Sequence, residues 1–202
     1  MPKPKPNRKI IRQEMLWPTP YWYTQLWDFM RSETRVTFND DFIGYILNEE
    51  QNKKSVRKSN RGGWQSHLAN ATDENYKPLV DEIIEFVKHL NLGIKDMGIA
   101  QLWANVNRKN DYNTIHQHGQ YNLSGTYYVK VPEDSGAIVF RDPRPGAIGN
   151  NFMVNNFDKG EFKKLNIMEG LLAIWPSYLD HFVEPSNTDE ERISISFDIN
   201  CR

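Results

Sequence analysis

The chain has 202 residues, which is enough for one domain with a buried core and short for two. Its apolar fraction of 39% and charged fraction of 25% indicate a folded protein. The formal net charge of −1 excludes an overall positive potential that would attract the chain to nucleic acid or to an anionic membrane. The sequence contains no apolar stretch long enough to span a bilayer.

The N-terminal segment is basic and rich in proline, and no apolar region of a secretory signal follows it. We expect residues 1–15 to be a flexible tail and residues 16–202 to form a single domain. Cys201 is the only cysteine, so an intrachain disulfide is excluded. These features predict a cytoplasmic protein, or one that is free in whatever host cell makes it.

The first half of the chain carries helical patterns. Residues 16–23 combine aromatics with two prolines and predict an extended segment docked on the core. Residues 39–41 (Asn-Asp-Asp) offer N-cap chemistry before a short helix, and residues 48–60 are a polar stretch. A stripe of apolar residues predicts a longer helix over 76–92, with Pro78 near its start and a glycine just past its end.

From about residue 99 the pattern changes to alternation, which predicts strands. Residues 142–165 are rich in Pro, Gly and Asn and predict a long loop or lid. Helical support over about 39–93 and a β core over about 99–200 together predict an α+β, mainly β fold, with the helices packed on one face of a double sheet. The expected strands are 99–106, 123–131, 136–141, 170–175 and 192–199.

Three of the five histidines lie in the β-rich half. His116 and His118 are two residues apart, so an extended chain directs both imidazoles to the same side. His181 follows an apolar strand at a turn, where it would close a metal site from the opposite side. Such a cluster suits iron(II) with positions left open. His67 and His89, in the helical half, are expected to be structural or exposed to solvent.

The last expected strand has a polar face that includes an arginine. Arg192, Ser194 and Asp198 share this face, and isoleucines and a phenylalanine alternate with them. A guanidinium matches the planar geometry of a carboxylate, so Arg192 predicts an anion site to which Ser194 adds a hydroxyl donor. If the chain ran unbroken from His118, Tyr128 would face the same anion. For Asp198, a role at the edge of the fold is equally plausible.

Other polar residues in the β-rich half are weaker candidates. We consider them as substrate contacts or as partners of the metal ligands, with turn or strand-edge roles as alternatives for the two asparagines. The large aromatics Trp103 and Trp175 are expected in the core. The weaker candidates are Asn105, Asn122, Tyr127, Asp142 and Asp180.

The order of these elements resembles that of 2-oxoglutarate (2OG) and iron(II)-dependent oxygenases, in the prolyl-hydroxylase-like branch. It is most similar to a family of mostly uncharacterised 2OG-Fe(II) oxygenases frequent in phages and bacteria. The resemblance covers roughly residues 99–200 and implies a double-stranded β-helix, the cupin-like jelly roll. It is carried by His116-x-His118, residues 123–128 (LSGTYY), 140–144 (FRDPR), 175–181 (WPSYLDH) and 192–197 (RISISF).

The resemblance implies iron(II) as the metal and 2OG and O₂ as co-substrates, with ascorbate as a supporting reductant. The reaction would hydroxylate a C–H bond and release succinate and CO₂. Arg192, Ser194 and Tyr128 would hold the 2OG carboxylate. The substrate would be a prolyl or another peptidyl or free amino-acid residue, with no nucleic acid or membrane partner. The sequence leaves the oligomeric state open.

One departure from the resemblance concerns the ligand set, because the wider superfamily has an acidic residue where His118 stands. We rank His116, His118 and His181 first as ligands, and Asp142 or Asp180 as carboxylate alternatives. Two other functions stay open: a three-histidine dioxygenase that does not use 2OG, and a non-catalytic jelly roll that binds a structural ion such as zinc.

Overall fold

The computed structural model describes residues 18–28, 37–144, 146 and 161–202. The expected tail at 1–15 and most of the expected lid (145 and 147–160) lie outside the described residues. The helices are α1 (Phe38–Asn52) and α2 (Lys77–His89), with a 3₁₀ turn at Leu26–Asp28. The strands are β1 (Trp22–Gln25), β2 (Asn60–Arg61), β3 (Trp64–Gln65), β4 (Met97–Asn107), β5 (Tyr112–His116), β6 (Leu123–Lys130), β7 (Ile138–Arg141), β8 (Phe162–Lys164), β9 (Leu171–Pro176), β10 (His181–Val183) and β11 (Arg192–Cys201).

The strands form two sheets. A six-stranded sheet has the order β1-β9-β6-β11-β4-β3, and a five-stranded sheet has the order β2-β5-β10-β7-β8. All the pairings within them are antiparallel. Helices α1 and α2 pack on one face of the six-stranded sheet. The prediction of a mainly β fold, with helices on one face of a double sheet, is confirmed.

The main core lies between the helices and the six-stranded sheet. From β11 it receives Ile193, Ile195, Phe197 and Ile199, all at most 1% exposed. Burying a side chain of this size contributes about 1.5–3 kcal/mol, so one face of this strand is fixed by the core. A second apolar cluster lies at the other face of the six-stranded sheet and includes Tyr128, Phe140 and Trp175.

Helix α2 agrees with its sequence pattern, since its buried residues follow the helical period. It ends at His89, before the glycine expected to terminate it, and the left-handed residue directly after the C-cap Leu90 is Asn91, with a φ of 51°. Helix α1 differs at its start. It begins at Phe38 with Thr37 at the N-cap and no side-chain capping bond, so the expected cap at 39–41 is wrong. Asn39 is instead tied to the sheet, where its amide donates to Val129 O at 2.8 Å.

Several short strands carry too little alternation to be predicted, among them β1, β8 and β10. Strand β1 pairs with β9 along its whole length, which agrees with the expected docking of this segment in extended form. Neither helix of the described part of the chain has the length and apolar character that a bilayer crossing requires.

Candidate functional site

Three histidines converge between the two sheets. His116, the last residue of β5, and His181, the first residue of β10, are direct partners in the pairing of these antiparallel strands. His118 follows two residues after His116, and its backbone N–H donates to Ser177 O at 2.8 Å. One ring nitrogen of each histidine lies within 4.8 Å of those of the other two, a separation that one metal ion could bridge.

Each imidazole has its Nδ1 occupied by a partner outside the cluster. His116 Nδ1 lies 2.7 Å from Thr114 O, and His181 Nδ1 lies 2.9 Å from Leu179 O. His118 Nδ1 lies 2.8 Å from a carboxylate oxygen of Asp198. Since all three partners are acceptors, each Nδ1 carries a proton, and Nε2 of each neutral ring has a lone pair for a ligand bond. The Ser59 hydroxyl lies 3.4 Å from Nε2 of His116.

Burial keeps two of these rings neutral. Loss of hydration, reinforced by neighbouring His116, lowers the pKa of His181 to about 3. Burial also lowers the pKa of His116, against the opposing effect of its bond to Thr114 O. A metal ligand must be the neutral imidazole, so at neutral pH no proton has to leave these two rings before a metal binds.

The cluster opens into a cavity of about 690 Å³ between the sheets. Its walls include the polar face of β11 together with Trp103, Tyr128 and Trp175. The two tryptophans are buried, as expected, and their rings also lie beside the histidines: the Trp103–His118 and Trp175–His181 centroid distances are 5.6 and 5.2 Å. Trp175 Nε1 is buried and has no hydrogen-bond partner among the described residues.

Arg192 forms a second polar centre on the cavity wall. Its side chain is buried, donating to Asn107 Oδ1 at 2.9 Å and Gly136 O at 3.1 Å, while Nε has no partner in the described ranges. No carboxylate within those ranges pairs with this guanidinium, and burial lowers the pKa of Arg192. A buried cation without a counterion is unfavourable, so the pocket favours a bound anion.

Two hydroxyl residues flank Arg192. Ser194 is the cross-strand partner of Tyr128 on β6, and both side chains line the cavity. Burial raises the pKa of Tyr128 to about 12, against the opposing effect of Arg192, so its hydroxyl remains a donor at neutral pH. Tyr128 was expected to face the site because an unbroken strand would run from His118. The chain instead turns between β5 and β6, so that reason was wrong, but Tyr128 still lines the cavity.

Of the weaker candidates, only Asn105 lines the cavity, donating to Ser196 Oγ at 3.2 Å. Tyr127 lies on the opposite face of β6, in the helix-side core, and donates to Asn39 at 2.7 Å. Asn122 Oδ1 accepts the backbone N–H of Cys201.

The two aspartates do not line the cavity. Asp142 binds the side chain of Arg144, whose hydrogen bond lowers the pKa of Asp142. The backbone oxygen of Asp180 accepts a hydrogen bond from Arg141 N. Neither carboxylate belongs to the group of metal-ligating side chains found in the described ranges.

The sequence did not identify the residues that support the charged groups. Asn107 holds Arg192 because the two are paired across β4 and β11. Gln101 and Ser124 stand on either side of Asp198 in the same sheet. The alternation of β11 placed Asp198 on the polar face, but only the strand order reveals its neighbours.

Part of the chain matches a known protein family. Residues 101–198 match the family model described as "Putative 2OG-Fe(II) oxygenase". These residues belong to the 2OG-Fe(II) oxygenase family. We refer to them as the oxygenase region; Fe(II) and 2OG are the metal and co-substrate typical of its family, and the three imidazoles are donors that suit Fe(II).

Solved structures of 2OG oxygenases share the fold. A prolyl-4-hydroxylase from Pseudomonas putida has a TM-score of 0.63 at 12% identity, covering 91% of this chain and 94% of the other. The viral collagen prolyl hydroxylase vCPH from Paramecium Bursaria Chlorella virus-1 gives 0.59 at 14% identity, with coverages of 89% and 94%. HygX from Streptomyces hygroscopicus, with nickel and 2OG bound, gives 0.59 at 9%, with coverages of 90% and 83%.

These likenesses agree with the expected double-stranded β-helix; at such low identity they show the fold alone. No curated protein matches the chain in sequence.

Proposed function

We propose that the oxygenase region couples oxidation of 2OG to hydroxylation of a substrate C–H bond. In the overall reaction, one atom of O₂ enters the substrate as a hydroxyl group. The other enters the succinate formed when 2OG loses CO₂. The observation that carries this proposal is the cavity's combination of three converging imidazoles, each with its Nδ1 bound to an acceptor outside the cluster, and a buried guanidinium without a carboxylate partner in the described part of the chain.

His116, His118 and His181 would hold the Fe(II). Their Nδ1 bonds to Thr114 O, Asp198 and Leu179 O fix the ring orientations, so little reorganisation is needed on metal binding. When bound, Fe(II) and 2OG supply the oxidising chemistry. The protein orients these groups and excludes bulk water from the buried end of the cavity.

Arg192 would bind the carboxylate of 2OG that is remote from the metal. Its unpartnered Nε is available as a donor, and the carboxylate would supply the missing counter-charge. Ser194 and Tyr128, on the same wall, would add hydroxyl donors. Asn107 would keep the guanidinium in place through its bond to the Arg192 side chain.

We propose a peptidyl substrate, with proline as the first residue to test. Amide side chains provide both donors and acceptors, which match those of a peptide backbone. The likeness to two prolyl hydroxylases makes proline a reasonable start, although it concerns only the fold. The amide residues that line the cavity are Gln65, Gln101, Asn105, Asn113, Gln117 and Gln120.

Anaerobic titration with Fe(II) and 2OG, followed by visible absorbance, tests the proposal. A charge-transfer band that requires both components is expected, and succinate should form when O₂ is admitted with an accepted peptide. The variants His181→Ala and Arg192→Ala should each abolish 2OG turnover. Iron binding without the band would favour a three-histidine dioxygenase that does not use 2OG, and binding of zinc alone would favour a structural role.

A further inference from the structure

We propose that Asp198 is a positioning residue for the metal centre, acting through His118 to fix its tautomer and to supply the negative charge that three neutral imidazoles lack. This inference rests on the proposed role of the three histidines as metal ligands. It assigns a function to Asp198, for which the sequence made a role at the edge of the fold equally plausible.

The first support is the burial of Asp198 and its set of partners. Its side chain is fully buried, and its carboxylate accepts three hydrogen bonds. His118 Nδ1 and Ser124 Oγ reach Oδ1 at 2.8 and 2.6 Å, while Gln101 Nε2 reaches Oδ2 at 2.7 Å. Both oxygens accept hydrogen bonds, two at Oδ1 and one at Oδ2, so three partners fix the carboxylate.

The strand register explains this fixation. Asp198 on β11 is paired with Gln101 on β4 and with Ser124 on β6, so the three residues form one row across the central strands. Ser124 Oγ also lies 2.8 Å from Ser177 Oγ, in the turn that leads towards His181. The carboxylate is therefore held by the sheet, and it holds His118 in turn.

The second support is electrostatic. Three neutral imidazoles would leave the two positive charges of a bound divalent metal uncompensated in a partly dry cavity. Asp198 lies one hydrogen bond behind a ligand, and no lysine or arginine in the described ranges pairs with it. A carboxylate in this position makes the imidazole a stronger donor to the metal. A buried carboxylate retained only for packing would be costly, which argues against a purely structural role.

The inference can be tested in apo-protein and with Co(II) as the only added metal. We would compare Asp198→Asn, which keeps the acceptor and loses the charge, with Asp198→Ala, which loses both. Asp189→Asn is the matched control, since it makes the same change of charge at a side chain that is 87% exposed. Histidine ¹⁵N NMR of the apo-protein reports the tautomer of His118, and Co(II) titration reports metal affinity.

In Asp198→Ala we expect the His118 ring to lose its fixed Nδ1–H tautomer and Co(II) affinity to fall by roughly 10- to 100-fold. In Asp198→Asn the tautomer should persist while affinity falls by a smaller factor, and Asp189→Asn should match the parent. In a His118→Ala background, Asp198→Asn should have less than about a twofold further effect, because its route through the ligand is gone.

An unchanged tautomer and an affinity within twofold of the parent in Asp198→Ala would overturn the assignment, as would an undiminished effect of Asp198→Asn in the His118→Ala background. If the parent protein itself bound no Co(II), the proposed function would fail first. The NMR result would then still show whether Asp198 fixes the His118 ring, which separates the two failures.

Discussion

Replacing Arg192 should weaken 2OG binding strongly and change the free energy of unfolding much less. The variant Arg192→Met keeps a long unbranched side chain and removes the charge. In the parent, this buried guanidinium has two hydrogen bonds, to Asn107 and Gly136, and an unpartnered Nε. Removing one partner of a buried charge pair costs about 2–5 kcal/mol of binding, so the Kd for 2OG should rise by roughly 30- to 5,000-fold.

Folding stability should respond much less. The substitution leaves two acceptors, Asn107 Oδ1 and Gly136 O, without their donor, at about 1–3 kcal/mol each. It also relieves the desolvation of an unpaired cation, a penalty of several kcal/mol. These contributions oppose each other, so we expect the unfolding free energy of the apo-protein to stay within about 2 kcal/mol of the parent.

The assay combines anaerobic 2OG titration of the Fe(II) protein with urea unfolding of the apo-protein. Arg108→Met is the matched control, since Arg108 pairs with Glu50 at the surface and should leave 2OG affinity unchanged. Arg192→Lys keeps the charge without the planar fork and should fall between parent and Arg192→Met. A Kd within threefold of the parent, accompanied by a loss of more than about 3 kcal/mol of stability, would refute the reasoning and make Arg192 a structural residue.

Four further predictions use the same structure. Tyr128→Phe should weaken 2OG binding by roughly 10- to 160-fold through loss of one hydrogen bond to the charged carboxylate, and an unchanged Kd would exclude that bond. Gly125→Ala should destabilise the protein by roughly 1–3 kcal/mol in thermal unfolding, because its new methyl would meet the Phe197 ring at 2.3 Å. Gly44→Ala lies in open space within α1 and should instead stabilise the protein by about 0.5–1 kcal/mol. Since burial lowers the pKa of His181 from 6.5 to about 3, the unfolded chain binds more protons between these pH values, so apo-protein stability should fall as pH drops below 6.5, by up to about 1.4 kcal/mol per pH unit. A pH-independent urea midpoint over this window would contradict the buried, neutral state of His181.

The long periodic segments were predictable from sequence because the core dictates their pattern. The alternation over 192–199 matches β11, and the apolar stripe over 76–92 matches α2 within a few residues. The N-cap at 39–41 failed because Asn39 bonds to β6, a tertiary contact that local propensity cannot show. Short strands such as β10 depend on their partners rather than on their own sequence.

The candidate site was predictable to a similar extent. Parity along β11 placed Arg192 and Asp198 on one face, and the two-residue spacing of His116 and His118 agrees with the cluster in the structure. The same alternation could not reveal which neighbouring side chains form hydrogen bonds with Arg192 and Asp198. Asn107 reaches Arg192 only through the pairing of β4 with β11, which no local pattern determines.

Point substitutions in β11 and changes in its length should have different consequences. Its even-numbered residues from 192 to 198 face the cavity, and its odd-numbered residues from 193 to 199 pack beneath the helices. The register shifts between Ile193 and Ser194 against β6, and between Asp198 and Ile199 against β4, so an irregularity lies beside each of the two charged residues. Point substitutions on the cavity face can therefore change ligand chemistry while the hydrophobic layer stays intact. Insertion or deletion of one residue would exchange the two faces and remove stability and ligand binding together. New specificities in this fold should therefore arise by substitution within β11, with length changes confined to the loops.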